Sequence, residues 1–196
     1  MSFIEDGTGD GYSAKVTSGN RLSVLADIET VETQHVKNGD SFNVETPVIT
    51  LTSGAKSGVL YIKNTGEKDI VITGFFNLTG PSTGALATEH MLLHYEFNTT
   101  AGTLLSATSN VVTAVNKRVG SNKTLPATIQ YGAQGLTVDA SLTGITSVST
   151  SAGRNTLLLT LALPKSQSVS VSITPFSSNT SMVLIAALDC YIEQDL

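Results

Sequence analysis

The feature that most constrains the fold is the stretch from Pro47 to Leu78, in which three short apolar runs are separated by turn-forming residues. Within the second and third runs, neighbouring positions fall into two alternating sets, the period of two that a β-sheet buries on one side. Residues 64–68 between them read Asn-Thr-Gly-Glu-Lys, which tolerate positive φ and suit an exposed tip. The stretch therefore predicts three strands, the last two forming a hairpin.

Further runs along the chain extend this pattern. Residues 168–174 alternate hydroxyl with β-branched aliphatic side chains, and residues 182–192 are apolar on both parities, as in a strand at the middle of a sheet or at a subunit contact. Residues 135–153 suit an irregular outer strand or a long loop, and residues 103–125 suit strand and loop rather than a short helical turn. The other candidate strands are residues 41–44 as a first edge strand, 91–97, 127–131 and 157–163.

About eight to ten strands without a convincing helix predict an all-β fold, an antiparallel two-sheet β-sandwich of the jelly-roll type. Residues 1 to about 25 are different, because they are Gly-rich and carry only isolated apolar side chains. Such a segment cannot bury enough surface to order itself and gains order against something else. We therefore expect an extended N-terminal arm, linker and first edge strand over residues 1–45 and the sandwich over residues 46–196.

Charge and cysteine content exclude several classes of protein. The net charge is −5 and only 14% of residues are charged, so the clustered Lys and Arg that nucleic acid requires are missing. The short basic pair Lys117-Arg118 is typical of a solvated loop. No apolar stretch approaches the length that spans a membrane, and no secretory signal opens the chain, so we expect a protein made in the cytoplasm. The single cysteine, Cys190, excludes an intrachain disulfide and predicts a buried small hydrophobe.

The sequence offers no convincing catalytic or metal site. Asp6 to Gly11 resembles the first half of a calcium loop, but Thr17 stands where the closing bidentate acid belongs, which favours a Gly-rich arm. His90 and His94 have the spacing of a zinc-protease pair without the glutamate that should follow the first. No nucleophile-elbow pattern surrounds any serine. We expect no enzyme activity, no metal and no cofactor.

Three blocks of the sequence carry a resemblance: IEDGTGDGYSAKVTSGNRLSV near the N-terminus, LTSGAKSGVLYIKNTGEKDIVITGFF in the centre and LPKSQSVSVSITPFSSNTSMVLIAALDCYIE near the C-terminus. Together they resemble a group of virion structural proteins of tailed bacteriophages. The resemblance implies a β-sandwich on an arm, without enzyme activity, that attaches to the particle, commonly as a homotrimer.

By this resemblance the protein is expected to be a capsid decoration protein on the virion surface, made in the host bacterium, whose partner is the major capsid protein or another virion protein. No nucleic acid and no membrane is expected as a partner. The arm from Ile4 to Leu25 is then the part expected to contact the capsid. The residues expected to make this contact are Ile4, Asp6, Tyr12, Lys15, Val16, Arg21 and Leu22.

Two alternatives stay open. Head fibre, neck and tail components use similar folds, so the position on the virion is not determined. A sugar-binding module for host attachment is the other alternative, although carbohydrate platforms stack sugars on exposed rings and this chain has no tryptophan and 6% aromatic residues.

Overall fold

The computed structural model describes residues 3–5, 13–16, 22–23, 30–51, 55–81, 90–100, 110–133, 139–150, 153–158, 160–175 and 182–193. The chain divides into two units, residues 1–31 and 32–196. In the first unit, three strands pair with one another as an antiparallel sheet in the order β1-β2-β3, a sheet that the predicted arm did not include. These strands are β1 (Phe3–Glu5), β2 (Ser13–Val16) and β3 (Leu22–Ser23).

The second unit contains two antiparallel sheets, which confirms the prediction of an all-β two-sheet sandwich. The five-stranded sheet has the order β10-β6-β14-β8-β11, and the seven-stranded sheet follows the path β12-β7-β15-β4-β9, with β13 paired to β7 and β5 to β15. The elements are α1 (Val31–Asn38), β4 (Ser41–Glu45), β5 (Ile49–Leu51), β6 (Ser57–Asn64), β7 (Ile70–Pro81), β8 (His90–Thr100), β9 (Val115–Asn116), β10 (Ala127–Tyr131), β11 (Asp139–Thr150), β12 (Gly153–Leu157), β13 (Leu161–Leu163), β14 (Ser168–Pro175) and β15 (Met182–Ile192).

The hydrophobic core is built from alternate residues of both sheets. Phe75 of the seven-stranded sheet lies against Tyr95 of the five-stranded sheet, with ring centroids 4.9 Å apart at an angle of 51°. Such tilted aromatic pairs add about 0.5–1.5 kcal/mol to the free energy of burial. The other fully buried large side chains of this core are Phe42, Leu51, Leu60, Ile62, Ile70, Ile72, Met91 and Ile173.

The predicted hairpin between the second and third strands is wrong. β6 belongs to the five-stranded sheet and β7 to the seven-stranded sheet, so the turn between them connects the two sheets. Asn64 explains the turn: its Nδ2 donates to the carbonyl oxygens of Lys68 and Leu163, both at 2.8 Å, and its Oδ1 accepts from the Gly66 N–H at 2.8 Å. The asparagine thus makes a local Asx-type turn, which redirects the chain without a hairpin.

Helix α1 was not predicted, because its residues are mostly polar and only His35 among them is buried. The helix ends at Gly39, whose φ of 76° places it in the left-handed region. The Gly39 N–H donates to Val36 O at 3.0 Å and the Asp40 N–H to His35 O at 2.8 Å, the paired bonds of a Schellman cap. The cap turns the chain directly into β4.

For three strands the sequence pattern also predicted a place in the sheet, which the structure tests. β15 lies between β7 and β4, which confirms the expectation that a strand apolar on both parities lies in the middle of a sheet. β11 ends the five-stranded sheet and carries a register shift, as expected of an irregular outer strand. β4 is not an edge strand, because β9 pairs with its other side. β9 has only two residues, which is too short for any sequence pattern.

Candidate functional site

Four of the seven predicted capsid-contact residues lie in the small N-terminal sheet. In that sheet Lys15 is opposite both Phe3 and Ser23, and Val16 is opposite Leu22. The backbone register therefore brings these positions together on neighbouring strands. The four are Ile4 in β1, Lys15 and Val16 in β2, and Leu22 in β3, while Asp6, Tyr12 and Arg21 lie outside the described residues.

A second candidate surface lies where α1 packs on the seven-stranded sheet. The buried ring of His35 stacks on Tyr191 of β15, with centroids 4.1 Å apart and the planes at 16°. His35 is the residue by which a largely polar helix is attached to the sheet. Its Nδ1 is buried and has no hydrogen-bond partner among the described residues.

Beside this stack, α1 and the sheet enclose a half-open pocket of about 180 Å³. Lys117 in the pocket wall forms an ion pair with Asp189 at 2.9 Å, and Asn43 Nδ2 donates to the same carboxylate oxygen at 3.2 Å. Burial raises the pKa of Tyr191, and the negative charges of Glu193 and Glu32 raise it further. The pocket is lined by Glu32, Thr33, Val36, Ser41, Thr73, Lys117, Cys190 and Tyr191.

The loop that follows β9, residues 117–123, is fixed by hydrogen bonds at both ends. Arg118 Nη1 donates to the carbonyl oxygen of Lys37 at 2.7 Å, which places a cation at the negative end of α1. The Ser121 N–H donates to Arg118 O at 3.1 Å around Gly120, whose φ is 83°, so residues 118–121 form a turn of type II. The prediction that Lys117 and Arg118 lie in a solvent-exposed loop is confirmed. The loop is also hydrogen-bonded to α1 through Arg118.

At the other end of the loop, Asn116 Nδ2 donates to the carbonyl oxygens of Gly39 and Lys123 at 2.8 and 3.3 Å. Lys123 Nζ forms an ion pair with the mostly buried Asp40 at 2.8 Å. These bonds connect the loop to the chain that leaves α1. The helix cap and the loop therefore form one hydrogen-bonded corner of the sandwich.

The five-stranded sheet carries a third polar cluster on the face opposite the core. β14 alternates serine with aliphatic residues, and both sets are buried. Tyr61 of β6 is opposite Ser170, and Ser170 is opposite Glu96 of β8. The Glu96 side chain is 0% exposed, and its two oxygens bind Lys56 Nζ and the Ser172 hydroxyl, the latter at 2.7 Å. The carboxylate is thus held by one cation and one hydroxyl, as a buried charge requires.

His94 lies next to Glu96 on this face and donates to or accepts from the Thr174 hydroxyl at 3.1 Å. Burial lowers the pKa of His94, the Lys56 cation lowers it further, and the Glu96 carboxylate raises it in part. Burial also raises the pKa of Tyr61, which a side-chain hydrogen bond with Ser168 lowers in part. These environments favour neutral side chains, as in a structural polar layer.

The described residues include one buried thiol and no cluster of metal ligands. Cys190 is a free, buried thiol, and burial raises its pKa to about 12, so the reactive thiolate is suppressed at neutral pH. Among the described side chains, no group of three or more His, Cys, Asp or Glu residues could hold a metal ion. No helix in the described ranges is long and apolar enough to cross a membrane.

Sequence reasoning missed the corner made by α1 and the loop 117–123. The loop glycine, the basic pair Lys117-Arg118 and Gly39 were visible signals of a turn and of a helix cap. Their contact could not be predicted, because 77 positions separate Asn116 from Gly39 and no local pattern links them.

Comparison with known proteins gives no assignment: no protein-family model matches the chain, and no curated protein matches it in sequence.

Proposed function

We propose that the protein is a non-enzymatic virion structural protein of a tailed bacteriophage, a capsid decoration protein that docks on the head lattice through its N-terminal segment and stabilises the particle. The observation that carries the proposal is that residues 1–31 form a compact unit of their own, which contains a three-stranded sheet. A small unit with its own sheet can bind a partner while the sandwich keeps its core intact. The resemblance of three sequence blocks to phage virion proteins supplies the partner.

The character of the sandwich supports a structural role. Several of its buried polar groups form bonds between elements, such as Glu96 with Lys56 and Ser172, or Asn64 with Leu163. Multicopy assembly with a trimeric unit and a jelly-roll connectivity belong to the same proposal. A low-charge surface suits close packing among identical copies on a lattice.

The sugar-binding alternative finds less support. A carbohydrate platform needs exposed aromatic rings. Tyr61 and Tyr95 are buried in the sheets, and the half-buried ring of Tyr191 has one face stacked on His35. The exposed large hydrophobic side chains in the described ranges are all aliphatic: Val31, Val48, Val111, Val115, Val119 and Leu158.

The first experiment is the copy number of the protein in purified virions, measured by quantitative mass spectrometry against the major capsid protein. We expect a ratio comparable to that of the capsid protein. A ratio set by the few-fold symmetry of the tail would instead place the protein in the neck, baseplate or fibre. Absence from the particle would overturn the proposal.

The docking mechanism is tested with particles that lack the protein. The full chain is expected to bind them, and a chain without residues 1–25 is expected not to bind although its circular dichroism spectrum shows a folded β-sandwich. The matched control is the full chain with Val48→Lys, which changes an exposed side chain of the sandwich. Equal binding by the truncated chain would show that the N-terminal segment is not the docking element.

A further inference from the structure

Residues 38 and 39 are the one Asn-Gly pair in the sequence, and they stand where α1 ends. The Asn38 side chain is exposed, whereas Gly39 is buried. The backbone nitrogen of the next residue can attack the amide carbon of an asparagine side chain, and glycine permits this best because it has no Cβ to obstruct the approach. Groups on adjacent residues react without a bimolecular encounter. The pair is therefore a candidate site of spontaneous deamidation.

The fold requires the glycine of this pair. The φ of Gly39 is 76°, in the left-handed region that residues with a side chain rarely adopt. A Cβ at this position would also lie 2.8 Å from Ser121 Oγ, which is closer than van der Waals contact allows. Asn38, in contrast, is the last residue of the helix and has its side chain on the surface. The reactive pair thus results from the helix cap, and only its asparagine can be replaced without strain.

In the closed corner the attacking nitrogen is engaged. The Gly39 N–H donates to Val36 O at 3.0 Å, and this bond must break before the nitrogen can lose its proton and attack. The carbonyl group of the same residue is held as well, because Asn116 Nδ2 donates to Gly39 O at 2.8 Å. Both bonds restrain the backbone from turning toward the Asn38 side chain. The folded cap therefore opposes the reaction that the residue pair favours.

The loop 117–123 keeps this cap closed from outside the helix. Arg118 Nη1 donates to Lys37 O at 2.7 Å, next to the reactive pair. Asn116 Nδ2 donates to Lys123 O at 3.3 Å as well as to the cap, so a single amide joins the loop and the cap. Surface segments open locally at a lower cost in free energy than global unfolding. The bonds between loop and cap should therefore set how often the attacking nitrogen is released.

We propose that Asn38 is a site of spontaneous deamidation and that the corner formed by the helix cap and the loop 117–123 controls its rate. When the corner opens, the Gly39 nitrogen loses its proton to solvent hydroxide and bonds to Cγ of Asn38, and the side-chain nitrogen takes a proton from water and leaves as ammonia. Water then opens the five-membered succinimide ring at either carbonyl group. The product is aspartate or isoaspartate at position 38, and no electrons are gained or lost. The inference does not depend on the proposed place in a virion.

The reaction acts in one direction, because either product opposes closure of the corner. Isoaspartate adds a carbon atom to the backbone, so the Gly39 N–H can no longer meet Val36 O in the geometry of the cap. Both products put a negative charge on the last residue of α1, where the helix dipole disfavours it. The corner should therefore stay open in molecules that have reacted, and the site is an irreversible switch that opening of the corner triggers.

Peptide mapping by mass spectrometry tests the proposal on the full chain, incubated at mildly alkaline pH below its unfolding temperature. In the wild type, Asn38 should convert at least about 10-fold more slowly than in a free peptide of residues 34–43, because only open molecules react. Asn116→Ala should speed the conversion at least about 5-fold, toward the rate of the peptide, since its bonds to the cap and the loop are lost. Asn64→Ala, the same change with loss of hydrogen bonds away from the cap, is the matched control and should leave the rate unchanged.

Two further variants keep the test decisive if Asn116→Ala does not fold. Lys123→Gln removes only the ion pair with Asp40 at the same corner and should raise the rate by a smaller factor. Asn38→Gln assigns the signal, because attack on its longer side chain closes a six-membered ring, which forms more slowly. A wild-type rate equal to that of the peptide would show that the cap gives no protection, and equal rates in the wild type and the corner variants would show that the loop does not control the site. Either result overturns the proposal.

Discussion

The side-chain amide of Asn64 donates a hydrogen bond to the carbonyl oxygen of Leu163 at 2.8 Å, across 99 positions of sequence. The same amide closes the turn after β6 through Lys68 O and the Gly66 N–H. One buried side chain therefore connects the turn between the sheets to the end of β13. The turn and the later strand should lose stability together when this side chain is shortened.

Asn64→Ala is expected to lower the free energy of unfolding by about 2 kcal/mol, because a buried acceptor loses its donor. Urea denaturation measures this change as a lower midpoint at a constant slope. Thr65→Ala, one position later and exposed, is the control and should change stability by less than about 0.5 kcal/mol. Equal midpoints for the two variants would show that the Asn64 bonds contribute nothing net.

Ser166 has a φ of 66° in the turn that Gln167 N closes on Pro164 O. A left-handed conformation costs a residue with a side chain about 1–2 kcal/mol, whereas glycine adopts it freely. Ser166→Gly should therefore stabilise the protein by up to about 1 kcal/mol, the greater flexibility of glycine in the unfolded chain offsetting part of the gain.

The control for this prediction is Lys165→Gly, whose site in the same turn has no positive φ and where glycine should destabilise. Thermal unfolding of the two variants should shift in opposite directions. A lower unfolding temperature for Ser166→Gly than for the wild type would refute the strain assigned to this turn.

Glu96 is a buried carboxylate whose cation, Lys56, is partly exposed. Removing the cation alone should destabilise the protein by about 1–3 kcal/mol, because the charge then stays buried with only the Ser172 hydroxyl. Lys56→Gln is the test, and Lys63→Gln, an exposed lysine of β6, is the control. Combining Lys56→Gln with Glu96→Gln should cost less than the sum of the two single changes, which a double-mutant cycle by urea denaturation measures.

His94, on the same face of the five-stranded sheet, should make the free energy of unfolding depend on pH. Its pKa is lowered in the folded protein by burial and by Lys56, so the unfolded chain binds the proton more strongly. Stability contributed by the neutral imidazole is complete above the ordinary histidine pKa of about 6.5 and is lost as the pH falls through that value toward the folded pKa.

The measurement is urea denaturation of the wild type and of His94→Gln between about pH 8 and pH 5. The wild type should lose more stability over this interval than the variant. A steeper loss in His94→Gln would mean that the sign of the pKa change is wrong.

Which strands exist could be predicted from side-chain alternation, whereas which strands pair could not. The alternation of hydroxyl and aliphatic side chains over residues 168–174 predicted a strand with two different faces, and these residues form β14. β6 and β7 carried an equally clear pattern, yet alternation says nothing about the partner strand, and Asn64 sends the two into different sheets. α1 escaped detection because His35 attaches it by stacking on Tyr191 rather than by an apolar stripe. The loop 117–123 depends on bonds to Gly39 and Lys37 that only the folded chain brings near.

Cys190 provides a last prediction, on the accessibility of the core. Burial raises the pKa of its thiol to about 12, and the side chain is packed between the sheets. An alkylating reagent needs both access and the thiolate, so at about pH 8 the native protein should react only through unfolded molecules. Adding urea should raise the labelling rate in proportion to the unfolded fraction.

The positive control for labelling is Val119→Cys, whose site is the most exposed of the described hydrophobic positions. Mass spectrometry should find one rapidly added label in this variant and none in the wild type over the same time. If wild-type Cys190 reacts as fast as the introduced cysteine, then β15 opens to solvent without global unfolding, and its central place in the seven-stranded sheet does not protect it.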